Sequence, residues 1–224
     1  MNYDLFTEII TKKFPSLTNK KLQQFKEAET CYAEWNGKIN VISRKDIAFF
    51  YSHHLLHSLS VAAYAGDRLA GKQILDIGTG GGFPGIPLAI FYPDSQFTLC
   101  DSVGKKTLVA RAVAESLGLD NVTVVNARAE SLPQKFDYAV SRAVAPAETL
   151  LGWVRGKYSG SLLCLKGGDI NPEIAAAAGR WRIPQGSIRS WHISSWFQAS
   201  DFGEADEQER TWFEEKYILE FPKI

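Results

Sequence analysis

The sequence predicts an α/β domain: a mainly parallel, doubly wound sheet with an antiparallel last strand, preceded by a helical extension. Three observations carry this. From residue 71 onward, short apolar runs alternate with longer helix-periodic stretches, the pattern of strands joined by crossover helices. The first of these apolar runs ends in an acid and a cluster of glycines just before a helix start. The opening ~65 residues instead carry apolar residues at three- and four-residue steps, which is helical spacing. The expected division is therefore a helical extension over 1–65 and the α/β domain over 66–224.

In the extension, Thr18 is placed to cap a helix in which Leu22, Phe25, Ala28, Tyr32 and Trp35 form one apolar stripe. Asn36-Gly37 ends it. An apolar link over 39–42 leads to a second helical run from about Asp46, with Phe49, Phe50, Leu56 and Leu59 as its buried positions. Strands are expected at 73–77, 96–100, 122–126, 138–141 and 161–166. Helices are expected at 84–91, 105–117, 147–158 and 172–181. The tail offers two more strands, 188–193 and 217–221, expected to pair antiparallel at one edge. Between them the acidic stretch 201–210 reads as a solvated loop.

The 224 residues suffice for one sizeable domain. Hydrophobic content of 45% and charged content of 22% are ordinary. A formal net charge of zero gives no bias toward nucleic acid, although a basic face can exist in a neutral chain. Cys31, Cys100 and Cys164 are odd in number and widely spaced. They suit a reducing cytoplasm rather than a disulfide framework. No apolar run approaches the ~20 residues of a membrane-spanning helix. Asp4, Glu8, Lys12 and Lys13 argue against a signal peptide. His53 and His57 stand four apart, but no third ligand accompanies them, so no metal is expected.

The chemistry concentrates in residues 74–88. Asp76 ends a strand, and Gly78, Gly80, Gly82 and Gly85 follow with Phe83 among them. Glycine lets such a loop turn sharply and bring its backbone against a ligand. The helix beyond points free N–H groups at the same place. Gly80-x-Gly82-x-x-Gly85 formally matches a dinucleotide fingerprint. A carboxylate at Asp76 would repel a pyrophosphate, and Pro84 and Pro87 remove backbone donors that phosphates use. S-adenosylmethionine has no phosphate: the acid can serve its ammonium and the loop N–H groups its carboxylate. Asp101, at the end of the next strand, can accept two hydrogen bonds from a ribose diol. Asp101 suits both cofactors, and Asp76 separates them.

After the third strand, Ala127-Arg128-Ala129-Glu130 is placed to meet an adenine edge. After the fourth comes Ser141-Arg142-Ala143-Val144-Ala145-Pro146, at the position where this fold handles methyl acceptors. The Asn/Asp-Pro-Pro-aromatic motif of DNA amino-methyltransferases is absent there. Cys100 and Cys164 read as buried strand residues rather than as the nucleophile of cytosine-C5 chemistry. The lysine–acid–lysine–acid set of ribose methylation would need an acid where Arg142 stands.

Trp35-Asn36-Gly37-Lys38-Ile39-Asn40-Val41-Ile42-Ser43, His53-His54-Leu55-Leu56-His57-Ser58-Leu59, the glycine loop, Ser141-Arg142-Ala143 and Leu165-Lys166-Gly167-Gly168 occur together over residues 35 to 169. In that combination the chain resembles the bacterial ribosomal RNA small-subunit methyltransferase G family. The resemblance implies a class I S-adenosylmethionine-dependent methyltransferase, Rossmann-like in fold. It would act on N7 of one guanine in the 530 loop of 16S ribosomal RNA, in the small ribosomal subunit. Carried over by position, it implies cofactor contacts at Gly78, Phe83, Ala129, Glu130 and Arg142. Beyond about Pro184 the chain does not match the family pattern, and 201–210 resembles an insertion.

Guanine N7 is a free lone pair, so the transfer needs positioning and no general base. Arg142 and Lys166 are the candidates for positioning substrate, the former at base or phosphate, the latter at phosphate. An internal ion pair between Arg142 and Glu130 is the plain alternative. Arg44, Lys45, Lys105 and Lys106 are candidates for a basic rim. Trp35, Phe49, Phe50 and Tyr51 can stack a splayed base, but core packing is the simpler expectation. Two other functions compete: a nicotinamide-dependent oxidoreductase, and a non-catalytic RNA-binding assembly factor on the same fold.

Overall fold

Seven strands form one sheet in the computed structural model, which describes residues 1–184, 186–203 and 207–224. They are β1 (Gln73–Ile77), β2 (Gln96–Asp101), β3 (Val122–Asn126), β4 (Tyr138–Arg142), β5 (Ser161–Gly167), β6 (Arg189–His192) and β7 (Lys216–Pro222). The order is β3-β2-β1-β4-β5-β7-β6. The first five are parallel to one another. β7 runs antiparallel to both β5 and β6. The chain reverses direction from β3 across to β4 beside β1, and an open α/β sheet leaves a crevice at that point, outside the carboxyl ends of its strands.

The helices are α1 (Tyr3–Lys13), α2 (Asn19–Asn36), α3 (His57–Ala65), α4 (Gly85–Phe91), α5 (Gly104–Ser116), α6 (Ala147–Trp153), α7 (Asn171–Trp181) and α8 (Glu207–Trp212). Asn2 caps α1 by accepting from the Leu5 N–H, and Thr18 caps α2 by accepting from the Lys21 N–H. Side chains alternate across a strand, and the core divides accordingly. Ile74, Leu99 and Leu163 join Phe6, Phe25, Leu55, Leu59 and Val113 in one apolar cluster. Leu75, Cys100, Leu162 and Cys164 join Leu150, Leu151 and Phe221 in the other. The N-terminal helices thus share a core with the sheet; the expected boundary at residue 65 falls at the end of α3.

Three expectations are corrected. The run from Asp46 is not one α-helix: a 3-10 turn (Ile47–Phe49) passes into a π-helix (Phe50–Leu56) and only then into α3. Phe50, Leu56 and Leu59 are buried as expected, whereas Phe49 is half-buried. The helix expected over 147–158 stops at Trp153, where a turn through Gly156 at φ +70° carries the chain to Tyr158 beside Phe136. The acidic stretch 201–210 is not a solvated loop, although 204–206 lie outside the described residues. Asp201 is buried and accepts from Lys12 at 2.6 Å and Lys13 at 2.7 Å. Glu209, also buried, pairs with the Met1 ammonium. These carboxylates clamp the tail onto α1, which is why their charge is tolerated in the interior. The antiparallel tail strands lie at the sheet edge as the sequence suggested.

Candidate functional site

The glycine loop leaves β1 at Asp76 and enters α4 at Gly85. Asp76 is 0% exposed. Its Oδ2 accepts from Thr79 Oγ1 at 2.7 Å and from the Gly85 N–H at 2.8 Å, which fastens the loop at both ends. Its Oδ1 is buried without a hydrogen-bond partner. Burial raises the carboxyl pKa to about 7 against the lowering pull of those two donors and of Arg142. A buried acceptor left unpaired costs about 1–3 kcal/mol, so a group bound at the loop that brings a cation or donor would find its counterpart here. Tyr32 of α2 donates to the Gly81 carbonyl at 2.8 Å and supports the loop from beneath.

Asp101 closes β2 across the loop. Its Oδ2 accepts from the Gly80 N–H at 2.9 Å and its Oδ1 from the Val103 N–H at 2.8 Å. Each oxygen keeps a second lone pair for a ligand hydroxyl. Gly78, Asp101, Ser102, Ala129, Glu130 and Val144 line a cleft of about 180 Å³. That lies below the ~300 Å³ at which small-molecule sites begin. Val144 packs against the loop there: a Cβ on Gly78 would lie 2.5 Å from Val144 Cγ2. The side chain is 38% exposed and follows Ala143, whose φ is +52°. Only glycine suits position 78, where φ is +64° and the neighbour is in contact.

A second cavity, of about 390 Å³, lies at the end of β4, where Arg142 and Ala143 form part of its wall. The π-helix sets its roof. Asp46 accepts from His53 Nδ1 and from His54 Nε2, each at 2.7 Å. Arg142 donates to the His53 carbonyl and to His54 Nδ1, both at 3.1 Å. The Arg142 bond makes His54 Nδ1 the acceptor and places that ring's proton on Nε2. Burial lowers the His54 pKa to about 4, so the ring is neutral at pH 7. The two histidine hydrogen bonds hold the Asp46 carboxyl below the usual carboxylate range. Burial also brings the Arg142 pKa down to about 10, with Asp76 the chief opposing charge. Two consecutive side chains on an α-helix diverge by about 100°. The wider π-helical turn brings His53 and His54 to one carboxylate.

Of the expected residues, Gly78, Asp101, Ala129 and Glu130 line the first cavity and Arg142 and Lys166 the second, whereas Asp76, Gly80, Gly82 and Phe83 line neither, and several are not placed as expected. Arg142 does not pair with Glu130, whose nearest ion-pair partner is Arg128 at 3.7 Å. Arg142 stacks 4.8 Å over the Phe83 ring instead. Phe83 is buried against Tyr32 and His54, and its N–H donates to the Thr79 carbonyl, so neither its ring nor its N–H is available at the loop. Lys166 does not extend into solvent: Nζ pairs with Glu173 at 2.5 Å and donates to the Ala145 carbonyl at 2.8 Å. Phe50 and Tyr51 are core residues, while Arg44, Lys45, Lys105 and Lys106 are exposed. Cys100 and Cys164 are buried strand residues as read. Among the described residues no cluster of three metal-ligating side chains occurs, and no helix is long and apolar enough to cross a membrane. Sequence reasoning missed Asp46, Tyr32 as a loop support, and the tail residues Trp212 and Lys216 beside the second cavity. Only Asp46 left a trace in the sequence, an acid seven and eight positions before paired histidines.

Comparison with known proteins bears on the family and the fold. The sequence pattern described as GidB, rRNA small subunit methyltransferase G, matches residues 18–195. A ribosomal RNA small subunit methyltransferase G of Christiangramia forsetii is 41% identical over 96% of this chain and 96% of its own. One of Porphyromonas gingivalis is 50% identical over 75% of this chain and 80% of its own. Among solved structures, magnesium protoporphyrin IX methyltransferase of Synechocystis PCC 6803, with bound SAM, superposes at a TM-score of 0.57 with 16% identity, covering 93% of this chain and 99% of that one. The 16S rRNA N2 G1207 methyltransferase of T. thermophilus superposes at 0.52 with 14% identity, over 75% and 42%. At such identities the structures speak for the fold, which is that of class I methyltransferases.

Proposed function

We propose a function from one premise: the chain belongs to the rRNA small subunit methyltransferase G family. It transfers a methyl group from S-adenosylmethionine to N7 of a guanine in the 530 loop of 16S ribosomal RNA. The work is done on the small subunit or its RNA, in the cytoplasm. The observation that supports this best is the pair of carboxylates framing the glycine loop, one of them with a buried oxygen left unpartnered.

S-adenosylmethionine, when bound, supplies a methyl group already activated by its sulfonium. The residues present suit that ligand. Asp76 Oδ1 would meet its ammonium, directly or through water, and the Gly78 N–H its carboxylate; the N–H groups of Gly80, Gly82 and Phe83 shape the turn instead, bonded to Asp101 Oδ2 and to the Thr79 carbonyl. Asp101 would accept from the ribose diol, while Ala129 and Glu130 would border the adenine. Arg142 braces the wall between the two cavities and holds the π-helix in place.

Guanine N7 attacks as a free lone pair, with no proton to remove. The chain accordingly needs no base at the acceptor, and its contribution is orientation and exclusion of water. The reaction makes the base cationic as the donor loses its charge. Methylation of small subunits from a strain lacking this gene, read by mass mapping of the 16S RNA, tests the reading. Gain of one methyl at a single guanine N7 is expected; no transfer to subunits or to naked 16S RNA would refute it. Titration with adenosylhomocysteine and NADH separates it from an oxidoreductase, and RNA binding without affinity for adenosylhomocysteine would indicate an assembly factor.

A further inference from the structure

The 390 Å³ cavity beyond Arg142 is partly walled by the C-terminal tail, outside the stretch that matches the family pattern. Trp212, the last residue of α8, stacks on His53 at 4.0 Å with 12° between the rings and meets His57 edge-on at 5.0 Å. Lys216, the first residue of β7, sets its ammonium 4.3 Å from the Trp212 ring. His57 lines the cavity at 6% exposure, and its Nε2 is buried with no hydrogen-bond partner. Asp46 also lines it and keeps a lone pair on each oxygen beyond its two histidine bonds.

We propose that this cavity receives the acceptor guanine flipped out of its RNA, with His57 Nε2 donating to the base O6, Asp46 accepting from its Watson–Crick edge, and Lys216 holding a flanking phosphate. The assignment rests on the function proposed above and adds the subsite to it. Three features carry it. The volume falls within the range of small-ligand sites. Position follows from the loop: Ala143 borders this cavity and Val144 the cofactor cleft, so a base here is one residue's width from the methyl donor. Chemistry supplies the third: guanine offers an acceptor at O6 beside N7 and donors at N1 and N2, and the cavity is bordered by His57, whose buried Nε2 is unpaired, and by the Asp46 carboxylate. Adenine would turn its amino group toward the imidazole donor and lack the N1 proton that the carboxylate needs. Burial keeps His57 well below its usual pKa, so it remains neutral and its lone N–H can serve a base oxygen.

The test uses the full-length protein and small subunits from a strain lacking the gene. Lys216→Ala, His57→Leu and His57→Gln are compared with wild type for methyl transfer, for salt dependence and for adenosylhomocysteine affinity. Loss of one phosphate contact should reduce the slope of log kcat/KM against log salt by about 0.7, a change that a merely structural lysine would not produce. His57→Leu should lower kcat/KM by about tenfold or more, with partial recovery in His57→Gln, because an unanswered base oxygen is a larger loss than a missing methylene. Adenosylhomocysteine affinity should stay within about twofold in all three. If Lys216→Ala and His57→Leu, both folded, methylate with wild-type kcat/KM and salt slope, the subsite is refuted while the methyltransferase reading stands. If His57→Leu does not fold, Lys216→Ala decides alone through the slope. A wild-type protein that fails to methylate any 16S RNA refutes the parent reading and the subsite with it.

Discussion

Replacing Asp76 with asparagine separates what the carboxylate does for a ligand from what it costs the free protein. In the free protein burial raises its pKa to about 7. About a tenth of the molecules then carry the charge at pH 6 and about nine-tenths at pH 8. An ammonium-bearing ligand recruits the ionised form, so adenosylhomocysteine should bind wild type about tenfold more tightly at pH 8 than at pH 6. Binding at pH 6 should release close to one proton, visible as a buffer-dependent enthalpy in calorimetry. Asp76→Asn removes a charge-assisted hydrogen bond worth about 1.5–3 kcal/mol, which at pH 8 is a loss of about 10- to 150-fold in affinity. Its affinity should vary little over the same pH range. Stability moves the other way. Between pH 4 and 7 the unfolded chain has given up this proton while the native protein retains it, so wild-type stability falls as pH rises through that window. The upward shift from 3.8 to about 7 corresponds to about 4 kcal/mol of strain at pH 8, partly replaced in the variant by an unpaired amide costing about 1–3 kcal/mol. Asp76→Asn should therefore unfold in urea at pH 8 no earlier than wild type. A variant that binds adenosylhomocysteine normally, with wild-type affinity flat from pH 6 to pH 8, would refute the reasoning.

Gly85→Ala would place a Cβ 2.7 Å from Asp76 Oδ2 and 2.8 Å from Leu99 Cγ, both buried. Overpacking of that kind costs about 1–3 kcal/mol and should appear as a lower urea midpoint together with weakened adenosylhomocysteine binding. Tyr32→Phe removes the donor to the Gly81 carbonyl; a loss of about 1 kcal/mol in stability and a several-fold weaker cofactor affinity, measured by calorimetry, would place loop support in α2. Asp201→Asn breaks the contacts with Lys12 and Lys13. Burial opposes ionisation of Asp201, but the Gln198 N–H and the two lysines prevail and hold its pKa below the usual value. Its contribution is therefore present above the unfolded carboxylate range and lost on acidification through the native pKa. The variant should lose about 1–3 kcal/mol at pH 7 and converge on wild type in strongly acid urea titrations.

The sheet was legible because its code is local. Each of the five parallel strands is a short apolar run bounded by turn residues, and the structure places all five at the expected positions. The acid–glycine–helix order at Asp76 and the acid at Asp101 were legible for the same reason: both lie at strand ends, where the chain must turn. Helical periodicity assumes about 3.6 residues per turn, so it could not register the π-helix over Phe50–Leu56 or the convergence of His53 and His54 on Asp46. Nor could it pair residues as distant as Lys12 and Asp201, or His53 and Trp212. The acidic stretch misled for that reason. A carboxylate is read as solvated until its partner is known, and the partners of Asp201 and Glu209 are near the other end of the chain.

Arg142 explains why the two cavities belong to one site. A guanidinium with its pKa lowered to about 10 is still charged at pH 7, and it needs compensation in its enclosed setting. Asp76 is the largest of the charges that offset the burial, with Tyr32 next and Asp46 after it. The free protein at neutral pH holds Asp76 only partly ionised, so Arg142 is then under-compensated. An ammonium beside Asp76 draws the carboxylate into its charged form, which in turn steadies Arg142 and its two bonds to the π-helix. On the proposed function, occupation of the cofactor cleft would firm the wall of the acceptor cavity through a chain of three charges. The direct consequence is cooperativity: binding free energies are reciprocal, so each ligand should tighten the other, and Asp76→Asn should remove the coupling along with the charge.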